Sequence, residues 1–83
     1  MKCIDNIKFD KIKTIKAEES YRKIWTLKVS NRKLKNIYSY SSFDVIAEFD
    51  SLEELKIFCD LHFPNFKLNL ITFQDWYHHY YYL

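Results

Sequence analysis

A chain of 83 residues without a single glycine restricts both the fold and the chemistry of this protein. Its length allows one hydrophobic core, which seven Phe, seven Tyr and two Trp can fill, and 48% hydrophobic with 29% charged residues is typical of a folded domain. Phosphate-binding loops and the nucleophile elbow of hydrolases need glycine, so both are excluded. We therefore predict one α+β domain over residues 1–83 that has no catalytic site, is not an enzyme and acts by binding.

The first half of the chain predicts two β-strands. Apolar and polar residues alternate from Ile7 to Ala17 except at Ile12, where a β-bulge would restore the alternation. The isoleucines of this segment also fit helical spacing, so a helix is the open alternative. Tyr21 to Val29 alternates more regularly, with Tyr21, Trp25, Leu27 and Val29 on one side. A polar turn at Glu18 to Ser20 would join the two strands.

The second half adds two strands, a helix, a strand and a second helix. Strands are predicted at Ile37 to Tyr40, at Phe43 to Phe49, where Ile46 interrupts the alternation, and at Phe66 to Leu70. Ser51-Leu52-Glu53-Glu54 is a capping box and predicts the start of a helix, which should stop at Pro64. The residues on the face of this helix that points to the core are Leu52, Leu55, Phe58, Cys59 and His62. Thr72 caps an aromatic C-terminal helix. The predicted fold is an antiparallel four- to five-stranded sheet with two helices, in the order ββββαβα.

The net charge of +2 conceals an uneven distribution. Residues 1–35 carry a formal charge of +7 and residues 36–83 carry −5. Such an asymmetry suggests an interaction surface, although the two halves can also screen each other as an ordinary solvated surface. Each half supports its own hypothesis about binding.

The acidic half predicts a surface for another protein. We expect three acids on one strand face, two in the first helical turn and two exposed tyrosines of the C-terminal helix to form it: Asp44, Glu48, Asp50, Glu53, Glu54, Tyr81 and Tyr82. A compact negative patch can occupy the basic, phosphate-binding surface of a partner. Tyr is favoured in protein interfaces because it offers a large area at low entropic cost.

The basic half predicts a nucleic-acid surface as the alternative. Four cations of the N-terminal hairpin would neutralise phosphates: Lys28, Arg32, Lys33 and Lys35. A sequence pI near 8.5 argues against it, because it is lower than that of most dedicated nucleic-acid binders.

The sequence predicts no cofactor and no metal. Cys59 and His62 share a helical face and His78-His79 follows, but only Cys3 remains to complete a zinc site, so we interpret Cys59 as a core residue. The two cysteines are too few for a disulfide framework. Without a transmembrane run or a signal peptide, we expect the protein in the cytoplasm of the producing or host cell, with no membrane partner. A homo-oligomer through the aromatic tail or a strand edge stays open.

The sequence as a whole therefore predicts a noncatalytic protein-binding module. Its small size, its lack of catalytic motifs and its many residues with A/T-rich codons fit a phage or mobile-element inhibitor of a host nucleic-acid-handling machine, of the anti-CRISPR or anti-restriction type. The alternative is a small nucleic-acid-binding protein that uses the basic hairpin.

Overall fold

The computed structural model of the protein describes residues 2–3, 11–38 and 42–81. Five strands and two helices follow one another as β1 (Lys2–Cys3), β2 (Thr14–Glu19), β3 (Trp25–Ser30), β4 (Asp44–Phe49), α1 (Leu52–His62), β5 (Asn69–Ile71) and α2 (Phe73–Tyr81). The strands form one sheet in the spatial order β1-β4-β3-β2-β5. The α+β class and the two helices are thus confirmed.

The prediction of a fully antiparallel sheet is wrong at one edge. β1, β4, β3 and β2 pair antiparallel, but β5 pairs parallel with β2, with Lys16 beside Asn69 and Glu18 beside Ile71. The reason is the connection that precedes β5. A helix carries the chain back along the sheet, so the next strand runs in the same direction as the strand before the helix. Because β4 and β2 are both antiparallel to β3, β5 is parallel to both.

The predicted strand at Ile37 to Tyr40 is also wrong as far as it is described. Ile37 and Tyr38 lie in a turn, where the backbone N–H of Tyr38 donates to Asn36 Oδ1 at 3.0 Å; residues 39–41 lie outside the described residues. An Asn side chain that binds the backbone two residues on favours a turn over a strand. The predicted order ββββαβα matches the structure only because β1, a two-residue strand that was not predicted, takes the place of this strand in the count.

The first hairpin is shorter than its sequence pattern. β2 begins at Thr14, while the start of the predicted first strand, residues 7–10, lies outside the described residues. Tyr21 belongs to the turn and is exposed, because Ser20 Oγ accepts from the backbone N–H groups of Arg22 and Ile24 at 3.3 Å each and closes the turn. The turn also requires a positive φ of 63° at Lys23. The alternating part of β3 starts only at Trp25.

α1 packs on one face of the sheet, which we name the first face. This face carries Ile15 and Ala17 of β2, Trp25, Leu27 and Val29 of β3, and Ala47 and Phe49 of β4, and it forms the main core with Leu55, Cys59 and Phe63. Ser51 Oγ accepts from the backbone N–H of Glu54 at 3.2 Å and caps the helix start as predicted. The backbone N–H of Phe63 bonds to the carbonyl of Cys59 at the helix end, and Pro64 follows.

The opposite face of the sheet, the second face, is covered by a loop and by α2. Thr14 Oγ1 donates to the carbonyl of Arg32 at 2.7 Å, and Lys16 Nζ donates to the carbonyl of Ile37 at 2.5 Å. Trp76 of α2 lies over the same face beside Thr26, and the ring of His79 stacks on Tyr38 of the loop at 3.8 Å. The sheet therefore separates α1 from α2.

Neither helix of the described residues combines the length and the apolar composition needed to cross a membrane.

Candidate functional site

The outward side of α1 carries the most exposed aliphatic pair of the described residues. Ile57 and Leu61 are one helical turn apart and are 67% and 74% exposed. With the ring of Phe58 beside them, they line an open groove of about 530 Å³ that we name the α1 groove, formed by Phe49, Asp50, Glu54, Ile57, Phe58, Leu61 and His62. Exposed apolar side chains that are contiguous and have a polar rim are typical of interaction surfaces.

Three of the predicted acids lie together at one end of this groove. Asp50 and Glu54 line it, and Glu53 is exposed in the same helical turn. They are close because β4 ends at Phe49 and the cap of α1 follows two residues later, so strand end and helix start bring the carboxylates to one edge. The result is an apolar strip with an acidic rim, which complements a basic and partly apolar partner surface.

The other two acids, Asp44 and Glu48, lie within β4 and are not part of this cluster; β4 contains a bulge that moves Asp44 to a different face from Glu48. Val45 lies opposite Lys28 and Ala47 lies opposite Leu27, so Ile46 has no partner in the ladder and the alternation changes phase there. Asp44 consequently lies on the first face opposite Val29, and Glu48 lies on the second face opposite Thr26. The expectation that Asp44, Glu48 and Asp50 share one strand face is wrong for this reason.

The aromatic side chains of α2 form a separate surface. Tyr81 is 66% exposed, and its ring stacks on that of Tyr77 with the ring centres 4.8 Å apart. The ring of Phe73 packs against that of Tyr21 in the hairpin turn, with the ring centres 6.3 Å apart. Tyr82 lies outside the described residues. Because α2 covers the second face and α1 the first, Tyr81 is not brought together with the acidic cluster.

The four predicted nucleic-acid residues fall into two groups. Arg32, Lys33 and Lys35 are exposed on the loop after β3. Lys28, in contrast, is half-buried in the middle of β3, and its Nζ lies 3.1 Å from both carboxylate oxygens of Glu18. A cation that already has a carboxylate partner is poorly available to phosphate, so Lys28 does not belong to the basic surface.

Glu18 joins Lys28 to a second, buried lysine. Lys16 is only 1% exposed, its Nζ is 3.6 Å from Glu18 Oε2, and it lies 4.2 Å from the centre of the Phe43 ring. Burial lowers the pKa of Lys16, while the charge of Glu18 opposes that shift. The network fixes the loop that carries Ile37 to the second face.

Cys59 and the histidines do not converge. Cys59 lies in the core, where burial raises the pKa of its thiol to about 11. His62 is exposed, so its predicted place on the inward stripe of α1 is wrong, and the centre of its ring lies 4.3 Å from that of the Phe58 ring. His79 stacks on Tyr38. Within residues 11–38 and 42–81, no three His, Cys, Asp or Glu side chains are close enough to hold a metal ion.

Two groups of surface residues escaped prediction from the sequence. Ile57 and Leu61 fall outside the inward stripe of α1, and an apolar pair at i and i+4 off that stripe was a signal that these side chains are exposed. Lys13 lies beside Ser30, two residues before Arg32, because of β-sheet register, and Lys11 precedes Lys13 by two residues. No local pattern in the sequence predicts such a neighbour.

Comparison with models of protein families, with curated proteins and with solved structures gave no match to this chain.

Proposed function

We propose that the protein is a noncatalytic protein-binding module that docks through the α1 groove onto a basic, partly apolar surface of another protein. One observation carries this proposal: Ile57 and Leu61 are 67% and 74% exposed on α1 in the same groove as Asp50 and Glu54. Exposed aliphatic side chains supply affinity when they are buried, roughly 1.5–3 kcal/mol for each one fully covered. The carboxylates then restrict the partner to a basic one.

The acidic rim also suggests how such binding would inhibit. Carboxylates that lie against the phosphate-binding cations of a partner exclude nucleic acid from that surface. The small, glycine-free chain without catalytic motifs and its many residues of types that have A/T-rich codons support the narrower proposal of a phage or mobile-element inhibitor, of the anti-CRISPR or anti-restriction type. In that role the partner is a host nucleic-acid-handling protein.

Affinity capture with two pairs of matched variants tests the proposal. The tagged protein is used to capture a partner from host extract, mass spectrometry identifies it, and the purified partner is then titrated. We expect Ile57→Ser/Leu61→Ser to weaken binding at least tenfold, with Tyr81→Ser as the control because it removes an equally exposed side chain from the other helix. Glu53→Lys/Glu54→Lys should also weaken binding, with Asp44→Lys/Glu48→Lys as the control of equal charge change outside the groove.

A competition experiment tests the mechanism. If the acidic rim occupies the partner's phosphate-binding surface, nucleic acid and this protein should displace each other from the purified partner. A partner that binds the groove variants and the wild type equally would contradict the proposal. Nucleic acid that stays on the partner's own phosphate-binding surface while the Arg32→Gln/Lys33→Gln variant of this protein is bound would contradict it as well.

A further inference from the structure

Five exposed cations meet at the open end of the β2–β3 hairpin, away from the turn. They come from two stretches of sequence, and we name them the basic end: Lys11, Lys13, Arg32, Lys33 and Lys35. The sheet brings the stretches together, because Thr14 pairs with Ser30 and the backbone N–H of Lys13 donates to the carbonyl of Ser30 at 2.8 Å. The cluster thus depends on the fold and not on a run of basic sequence.

Hydrogen bonds from side chains of β2 and β3 hold the backbone of the loop that carries Arg32, Lys33 and Lys35. Thr14 Oγ1 donates to the carbonyl of Arg32 at 2.7 Å and accepts from the backbone N–H of Leu34 at 3.1 Å, while Ser30 Oγ accepts from the backbone N–H of Arg32 at 3.1 Å. Lys16 adds a bond to the carbonyl of Ile37. A surface that is already ordered loses less conformational entropy when it binds a ligand.

The charge of the basic end is also not neutralised by the ion pairs found in the described part of the chain. Both of those pairs use Glu18, which binds Lys16 and Lys28. Among the described residues, the acid nearest along the sheet is Asp44, which lies opposite Val29, one residue before Ser30. Within that part of the chain, five cations against one acid give this end a positive surface.

We propose that the basic end binds the phosphate backbone of a double-stranded nucleic acid without reading its sequence. An anionic membrane fits less well, because membrane-surface segments insert exposed apolar side chains, whereas Leu34 is half-buried and its neighbours Asn31 and Asn36 are polar. A single strand also fits less well, because such sites offer free aromatic rings for stacking and the ring of Tyr38 is stacked on His79. The interaction is phosphate neutralisation by Lys and Arg.

Fluorescence anisotropy with a labelled DNA duplex of arbitrary sequence tests this proposal. If all five cations contact phosphates, log K should fall with log salt with a slope of about −4 to −5. Arg32→Gln/Lys33→Gln should weaken binding at every sequence and reduce the slope by about 2. Arg22→Gln/Lys23→Gln is the matched control, because it removes the same residue pair and the same charge at the turn end of the same hairpin, and it should leave the slope unchanged.

Three results would overturn the proposal: no binding to the duplex at low salt, an equal loss from the two Arg-Lys pairs, or binding to anionic phospholipid vesicles that exceeds binding to the duplex. Ile57→Ser/Leu61→Ser should bind the duplex as the wild type does. Failure at the basic end is thereby distinguished from failure at the α1 groove.

Discussion

Lys16 is a charged side chain in a position where a small domain would ordinarily place an apolar one. It is fully buried in the second face of the sheet, and its ammonium group is satisfied by the carbonyl of Ile37, the carboxylate of Glu18 and the ring of Phe43. A buried charge is tolerated only when it is paired and hydrogen-bonded. The stability of this face therefore depends on Glu18, which is the only carboxylate in the ion pairs of the described residues.

Glu18→Gln should destabilise the protein by about 2 to 3 kcal/mol, because it removes the carboxylate charge that lies 3.6 Å from the buried Lys16 ammonium. Urea unfolding measures the loss. Glu48→Gln is the matched control, since Glu48 lies on the same face but is exposed, and it should change stability by less than about 0.5 kcal/mol. Equal effects of the two substitutions would contradict the role assigned to Glu18.

Cys59 makes the stability of the fold sensitive to alkaline pH. Burial raises the pKa of its thiol from 9.0 to about 11, so between these values the folded state holds a proton that the unfolded state has lost. This contribution to stability is therefore fully present below pH 9 and is lost as the pH rises through 11, by about 3 kcal/mol in total and about 2 kcal/mol by pH 11.

Urea unfolding of the wild type and of Cys59→Ala across this pH range isolates the effect of the thiol. The wild type should lose about 2 kcal/mol more than the variant does between pH 8 and pH 11, because the variant has no thiol to titrate there. A constant difference between the two proteins would show that the thiol titrates alike in both states.

At the scale of single elements, the helices were predictable because their signals are local. Ser51 caps α1, and Thr72 and Asp75 form a reciprocal pair at the start of α2, with the Asp75 N–H donating to Thr72 Oγ1 and the Thr72 N–H donating to Asp75 Oδ2. The bulge in β4 also had a local signal in the broken alternation at Ile46. The parallel pairing of β5 had none, because it depends on the route of the chain around the sheet.

The candidate sites were only partly predictable for the same reason. The acids around the α1 cap were found because Asp50, Glu53 and Glu54 are close in sequence. Lys28 was wrongly predicted to bind phosphate, because the alternation of apolar and polar residues shows which face of a strand a residue lies on but not which residue lies beside it on the neighbouring strand. Contacts across strands come from register, which a single sequence specifies only weakly.

The hairpin turn stores strain that a glycine would relieve. Lys23 has a φ of 63°, in the left-handed region that is unfavourable for a residue with a Cβ atom. Lys23→Gly should stabilise the protein by about 1 kcal/mol, as measured by urea unfolding. Arg22→Gly in the same turn is the control and should lower stability, since Lys23 is the position with positive φ among the described residues. A loss from both substitutions would contradict this account of the turn.

At the scale of the whole molecule, β3 separates the two proposed surfaces. The acidic rim lies at the Trp25 end, where Phe49 is its partner, and the basic end lies beyond Ser30. Six residues of strand span about 17 Å, so the acids of the rim and the cations of the basic end are separated in space. Different elements present the two surfaces, α1 for one and the β2–β3 hairpin with its following loop for the other.

This separation contributes an electric dipole along the strands, although the net charge is only +2. Copies in dilute buffer should attract one another head to tail, acidic rim to basic end, and dissolved ions should weaken that attraction because they screen exposed charges beyond about 10 Å at 0.1 M salt. Solubility should consequently rise when salt is first added. The same protein should be retained at low ionic strength by both anion and cation exchangers, through opposite ends.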